Sequence, residues 1–160
     1  MNYYFKGAEL KELNFEGIEN IEEPIIWKMT FQTPSFARAE GDDMYIKVPN
    51  PTDMARTYGK TPRRFYPLDM GKTGIFENKH TFILPEGRQI AIEPMAADLK
   101  AGDFYEFTAA YSSGKNKFEL KYIYKQKTIE IPVENYAQFR EFCLSIEEVE
   151  RREFKFVKIK

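Results

Sequence analysis

Thiol chemistry in this chain would have to use Cys143 and His80, which are its only cysteine and its only histidine. A cysteine nucleophile acts as the thiolate and needs a partly exposed, electropositive setting, often a helix N-terminus, to lower its pKa. Cys143 sits instead in a helical stripe: Tyr136, Phe139, Cys143 and Ile146 fall at i, i+3, i+7 and i+10. His80 alternates with Phe82 and Leu84 in a row patterned to face a core. Both are expected to be structural, and one His with one Cys cannot make a zinc site alone. No catalytic residue, metal or cofactor is therefore expected, and the chain is expected not to be an enzyme by itself.

Paired carboxylates could run acid–base hydrolysis. The candidates are Glu40 with Asp42 and Asp43 at a turn beside Gly41, and Glu147 with Glu148 and Glu150 at the polar end of the helix. Solvated charge is the expected account of both groups. The best surface candidate is the segment 56–74, where Arg56, Lys60, Arg63, Arg64 and Lys72 interleave with Tyr58, Phe65 and Tyr66. Basic residues among aromatics can grip a single strand or a glycan. In a purely structural role, Phe65 and Tyr66 would plug a sandwich while the arginines pair locally. Arg56, Tyr58, Arg63, Arg64, Phe65 and Tyr66 are the binding residues this composition nominates. A surface patch of Tyr45, Tyr58 and Tyr66 would favour a peptide or glycan ligand. The glycines never reach a G-x-G-x-x-G or Walker spacing, so no phosphate cradle is expected.

The bulk properties limit the partners. A net charge of −1 exerts no long-range pull toward nucleic acid or anionic membrane. No run approaches the about 18 apolar residues of a membrane span, so neither nucleic acid nor membrane insertion is expected. No small ligand is identified. The first residues, Met1 to Lys6, lack a basic region followed by an apolar one. A periplasmic or exported location then requires that these 160 residues be a piece of a longer parent, and a free-standing chain would be cytoplasmic.

The elements that must position these residues are mostly strands. At 160 residues, 16% of them aromatic, the chain is expected to form a single β-rich domain over residues 1–160. Tyr3–Lys6 and Leu10–Phe15 could make an opening hairpin around Gly7. Ile25–Gln32 alternates strictly, with Trp27, Met29 and Phe31 on one side, and Met44–Val48 is the next strand. Between residues 49 and 74 periodicity disappears among prolines and glycines, which marks a long connection or an internal boundary. Strands resume at Lys79; Ile90 and Ile92 mark a returning strand after Pro85-Glu86-Gly87. Tyr105–Tyr111 and Phe118–Tyr124 alternate on either side of a turn at 112–116. Lys127–Ile131 is a strand with Ile129 and Ile131 on one face. The amphipathic helix from Tyr136 to Val149 follows, and Phe154–Ile159 closes the chain. The fold class is an antiparallel β-sandwich or barrel-like domain with this one C-terminal helix packed on it.

Four segments in order carry a family resemblance: Gly41–Pro49, Arg63–Leu68, Ile83–Gly87 and Tyr136–Phe142. Together they resemble the C-terminal region of bacterial transglutaminase-like proteins. There a β-rich N-terminal domain precedes a cysteine-protease-like core, and a β-rich domain of unknown function closes the chain. The resemblance implies a non-catalytic accessory domain whose partner is the transglutaminase-like core of the same parent. Cys143 lacks the tryptophan- and glycine-containing context of that family's nucleophile. The alternative is an independent peptide- or glycan-binding sandwich.

Overall fold

The computed structural model describes residues 7–19, 22, 26–33, 36–47 and 52–159. By its contacts the chain divides into two units, Met1–Arg38 and Ala39–Lys160. That division lies ahead of the 49–74 stretch, all of which belongs to the second unit. The first unit is an antiparallel hairpin of β1 (Glu9–Glu16) and β2 (Ile26–Gln32). Leu10 and Leu13 are three residues apart, so strict alternation would send them to opposite faces. A register shift between Leu10 and Glu12 restores both to the side of Phe31 and Met29. Leu10–Phe15 thus pairs with β2; the expected partner Tyr3–Lys6 lies outside the described residues, as do Ile25, Val48 and the side chain of Trp27.

The following elements are β3 (Ala37–Glu40), β4 (Asp43–Lys47), the helix α1 (Met54–Tyr58), β5 (Leu68–Asp69), β6 (Gly74–Ile83) and β7 (Arg88–Ile90). Then come β8 (Ala97–Ala101), β9 (Tyr105–Gly114), β10 (Lys117–Gln126), β11 (Glu130–Ile131), α2 (Tyr136–Glu150) and β12 (Glu153–Lys158). Two four-stranded antiparallel sheets result, in the orders β6-β10-β9-β8 and β3-β4-β12-β7, with β5 and β11 paired separately. Among the described residues the end strands of each sheet do not pair with one another, so neither closes into a barrel.

β9 and β10 pair without a slip from Lys117 opposite Gly114 to Gln126 opposite Tyr105. The turn between them is only Lys115-Asn116, with Asn116 in the left-handed region (φ 57°) that asparagine tolerates. Their alternation sends Tyr105, Phe107, Ala109, Phe118, Leu120, Tyr122 and Tyr124 inward, all buried. The outward face is charged. Glu119 lies 2.9 Å from Lys117 and 3.4 Å from Lys79, and Glu106 lies 2.6 Å from Lys127. The lysines hold the Glu119 carboxyl down at about 2, the Lys117 hydrogen bond being the largest cause.

Helix α2 covers one end of the inward face and the second sheet covers the other. Tyr136, Phe139, Phe142, Cys143, Ile146 and Val149 are buried, as their helical spacing predicts. Phe139 and Phe142 stand 6.2 and 5.5 Å from the Tyr105 ring. At the opposite end, Phe154 and Phe156 of β12 pack on Phe118 at 5.0 and 5.6 Å. The expected fold class is therefore observed: mostly β, antiparallel, with a C-terminal helix on the sheet.

Several local expectations give way to long-range pairing. The strand at Ile90 does not return along β6; it pairs with β12, Phe156 opposite Ile90, in the other sheet, and Ile92 is exposed beyond it. β8 pairs with β9 although Ala97–Ala101 holds only one large apolar residue. Only Ile131 of the 127–131 segment is buried, whereas Ile129 is exposed. The stretch expected to be structureless carries α1 and β5, and Ile131 lies opposite Leu68.

Truncating Phe139 to alanine removes the ring that joins α2 to Tyr105. It should cost about 3–5 kcal/mol, seen as a lower urea midpoint at an unchanged slope. An unaltered midpoint would mean that the helix does not depend on this contact.

Candidate functional site

The chemistry-bearing residues occupy structural settings. Cys143 is fully buried, and burial pushes its thiol up to about 12, so it stays protonated and inert. His80 is half-buried on β6, stacked on Phe82 at 6.3 Å, and burial lowers its pKa. Among the described residues, no group of three or more His, Cys, Asp or Glu could hold a metal ion. Asp42 and Asp43 pair across the second sheet with Lys158 (2.5 Å) and Lys155 (2.7 Å), and Glu147 pairs with Arg151.

Glu150 departs from the expectation of solvated charge. It is 1% exposed, and its carboxylate accepts hydrogen bonds from the Tyr124 hydroxyl and from Thr52 Oγ1 at 2.8 Å. A carboxylate at the last turn opposes the helix dipole, and burial costs it water, so donors here are needed. Glu150 thereby ties the end of α2 to β10 and to Thr52, two residues ahead of α1. Its signal was the spacing itself: positions 139, 143, 146 and 150 continue one stripe.

The nominated loop is built around the other end of α2. The single Tyr136 hydroxyl proton is shared between the carbonyls of Tyr58 and Thr61, at 2.7 and 2.6 Å, and Arg140 Nε donates to the Gly59 carbonyl at 2.9 Å. Gly59 closes α1 by donating to Ala55 O at 2.9 Å, and a Cβ there would lie 3.0 Å from that oxygen. The Arg64 guanidinium lies over the Tyr136 ring at 5.2 Å, and Tyr58 faces Phe139 at 6.2 Å. At the far end, the β5–β11 pair and a Met70 N–H bond to Ile129 O (2.8 Å) hold the chain again.

Between these two clamps the loop turns its aromatics outward. Phe65 is 76% exposed and Tyr66 80% exposed, with the Arg63 guanidinium over the Phe65 ring at 5.3 Å. The expected plug into the sandwich is therefore absent: both rings face solvent. Of the six nominated residues, Tyr58 and Arg64 hold the loop on α2, while Arg63, Phe65 and Tyr66 are displayed. Arg56 is exposed and paired with Asp53. Tyr58 does not extend an exposed row with Tyr66, and Tyr45 lies beneath Lys155 at 5.7 Å on β4. Two exposed rings and a stacked cation on a clamped loop suit contact with a partner, since such residues anchor interfaces when buried.

Tyr136→Phe removes the donor from two loop carbonyls. The change should cost about 1 kcal/mol and speed tryptic cleavage after Arg63 and Arg64 about fivefold; cleavage at the wild-type rate would contradict the clamp. His80 supplies a pH test. Its native pKa lies below the ordinary 6.5 of the unfolded chain, so the native form binds protons less readily. Stability should fall as pH drops through about 6.5 toward the lower native value. Melting followed from about pH 7 to about pH 5.5 should show that decline, and His80→Gln should flatten it; an equal slope in the variant would be the contrary result.

A family model for a domain of unknown function with a solved structure (DUF3858) matches residues 42–156, which include the loop and α2. Among solved structures, a protease candidate from Parabacteroides distasonis is similar with a TM-score of 0.62 at 13% identity. The match covers 74% of this chain and 24% of that one; at this identity the likeness is one of fold. No curated protein matches the sequence. The family match spans most of the chain and the strands and helix that build its core, and the protein belongs to the DUF3858 family.

Proposed function

We propose that this chain is a non-catalytic accessory domain of a transglutaminase-like bacterial protein, packing on the catalytic core and shaping its substrate cleft. The observation that carries this reading is the outward display of Phe65 and Tyr66 on a loop fixed at both ends by α2 and β11. Large rings left in water are costly unless something covers them, and pre-fixing their loop lowers the entropy lost on docking. Similarity to one quarter of a longer protein supports a place inside a larger assembly. The burial of Cys143 supports a contact role over a chemical one.

A second reading, an independent peptide- or glycan-binding module, draws on the same surface, because the Arg63 guanidinium over Phe65 makes a stacking platform. The two separate experimentally. In the parent protein, Phe65→Ala with Tyr66→Ala should remove about 2 kcal/mol of docking and lower kcat/KM about tenfold. The isolated domain should melt as before. Wild-type turnover and an unchanged core melting temperature in the double variant would overturn the accessory role. Saturable binding of a peptide or oligosaccharide to the isolated domain, lost in the same variant, would then favour the module.

A further inference from the structure

The first sheet ends at β6, and among the described residues no strand pairs with its far side. The phase of the β6 hydrogen bonds follows from one bond. Leu84 N–H donates to the Asn116 carbonyl at 2.9 Å, in register with Ile83 opposite Lys117. Consecutive residues of an antiparallel strand turn their backbone groups to opposite sides. Even-numbered residues therefore bond to β10, while Ile75, Glu77, Lys79, Thr81 and Ile83 offer their N–H and C=O groups to the open edge. So long an open edge is a template for another strand.

The same strand carries two unusual atoms. Asn78 Nδ2 and His80 Nε2 are buried without a hydrogen-bond partner, two residues apart on its inner face. Unpaired buried polar atoms are rare because each costs free energy.

We infer that β6 pairs with β6 of a second copy of this chain, antiparallel, about a two-fold axis at Lys79. All five outward residues then bond, Ile75 opposite Ile83, Glu77 opposite Thr81, and Lys79 opposite itself. Asn78 stands opposite His80 and Phe76 opposite Phe82 in the intervening pairs, where side chains approach most closely. After a small rotation of either side chain, an amide donor can meet a neutral ring acceptor. Phe76, 48% exposed in the single chain, gains the ring of Phe82 across the axis, and the exposed Ile75 and Ile83 cover one another on the outer face. Moving the axis to Asn78 sets that amide against itself, faces His80 with Phe76, and leaves Ile83 beyond the overlap. A slip of one residue faces inward groups with outward ones and makes no ladder. The single like-charge pair is Lys79 with Lys79, and each ammonium already lies 3.4 Å from Glu119 of its own chain. Such an interface is isologous and closes as a dimer.

Lys79→Cys tests the axis. Residues in a hydrogen-bonded antiparallel pair have Cα atoms about 5.5 Å apart, within disulfide reach, and the native Cys143 is buried. Oxidised Lys79→Cys should run as a covalent dimer, whereas Lys121→Cys on β10 should not. Thr81→Pro removes an outward backbone donor and keeps the ladder to β10, losing besides only the exposed hydroxyl bond to Glu119. It should keep the wild-type circular dichroism and weaken dimerisation in sedimentation velocity about tenfold or more. Should proline unfold the chain, Ile75→Lys with Ile83→Lys sets like charges across the interface at exposed positions and must give the same weakening. A wild-type chain that stays monomeric up to about 1 mM, or a dimer indifferent to these variants in which Lys79→Cys does not crosslink, would overturn the pairing.

Discussion

The inward face of β9 and β10 carries more aromatic surface than a hairpin can hide, and the rest of the second unit follows from the need to cover it. Tyr105, Phe107, Phe118, Tyr122 and Tyr124 all point to one side because the two strands pair without a slip. Helix α2 covers the Tyr105 end and β12 covers the Phe118 end. Once α2 is fixed there, its two termini are fixed too. Tyr136 and Arg140 catch the carbonyls after α1, and Glu150 catches Thr52 before it. One packed helix thus determines where residues 52–61 lie and, through them, where Phe65 and Tyr66 stand.

Clamping the loop changes what its aromatics can do. On a free loop, docking two rings would require ordering several residues, at a cost that offsets much of the apolar gain. Here the polar ends of Tyr136 and Arg140 bond the carbonyls of Tyr58, Gly59 and Thr61, so part of that ordering is already complete in the domain itself. The buried thiol of Cys143 and the half-buried imidazole of His80 contribute packing, and the contact role proposed above rests on the displayed rings of Phe65 and Tyr66.

Much of this was legible from period alone. Alternation located β9, β10 and β12, and the 3.6-residue stripe located α2, because each of these elements buries one face against the core. What period could not show was partnership over long separations. Ile90 looked like the return of β6, but its strand satisfies the edge of β12 instead. β8 holds too few apolar residues to announce itself and is a strand because β9 offers it a ladder. The composition of 56–66 marked the right loop, yet whether Phe65 and Tyr66 faced in or out depends on Tyr136 and Arg140, 70 to 75 residues later. Glu150 shows the opposite error. Its place on the stripe was visible, and its charge argued for solvent, but donors from Tyr124 and Thr52 make burial tolerable.

The proposed accessory role requires the Phe65–Tyr66 loop to be covered by a partner in a longer parent protein. Hydrogen exchange at the amides of residues 63–66, compared between the isolated domain and the whole parent, reads this directly. Docking predicts slow exchange there in the parent and faster exchange in the domain alone, with α2 unchanged between them. Equal exchange at those four amides in both would show the loop in water either way, and would contradict the account.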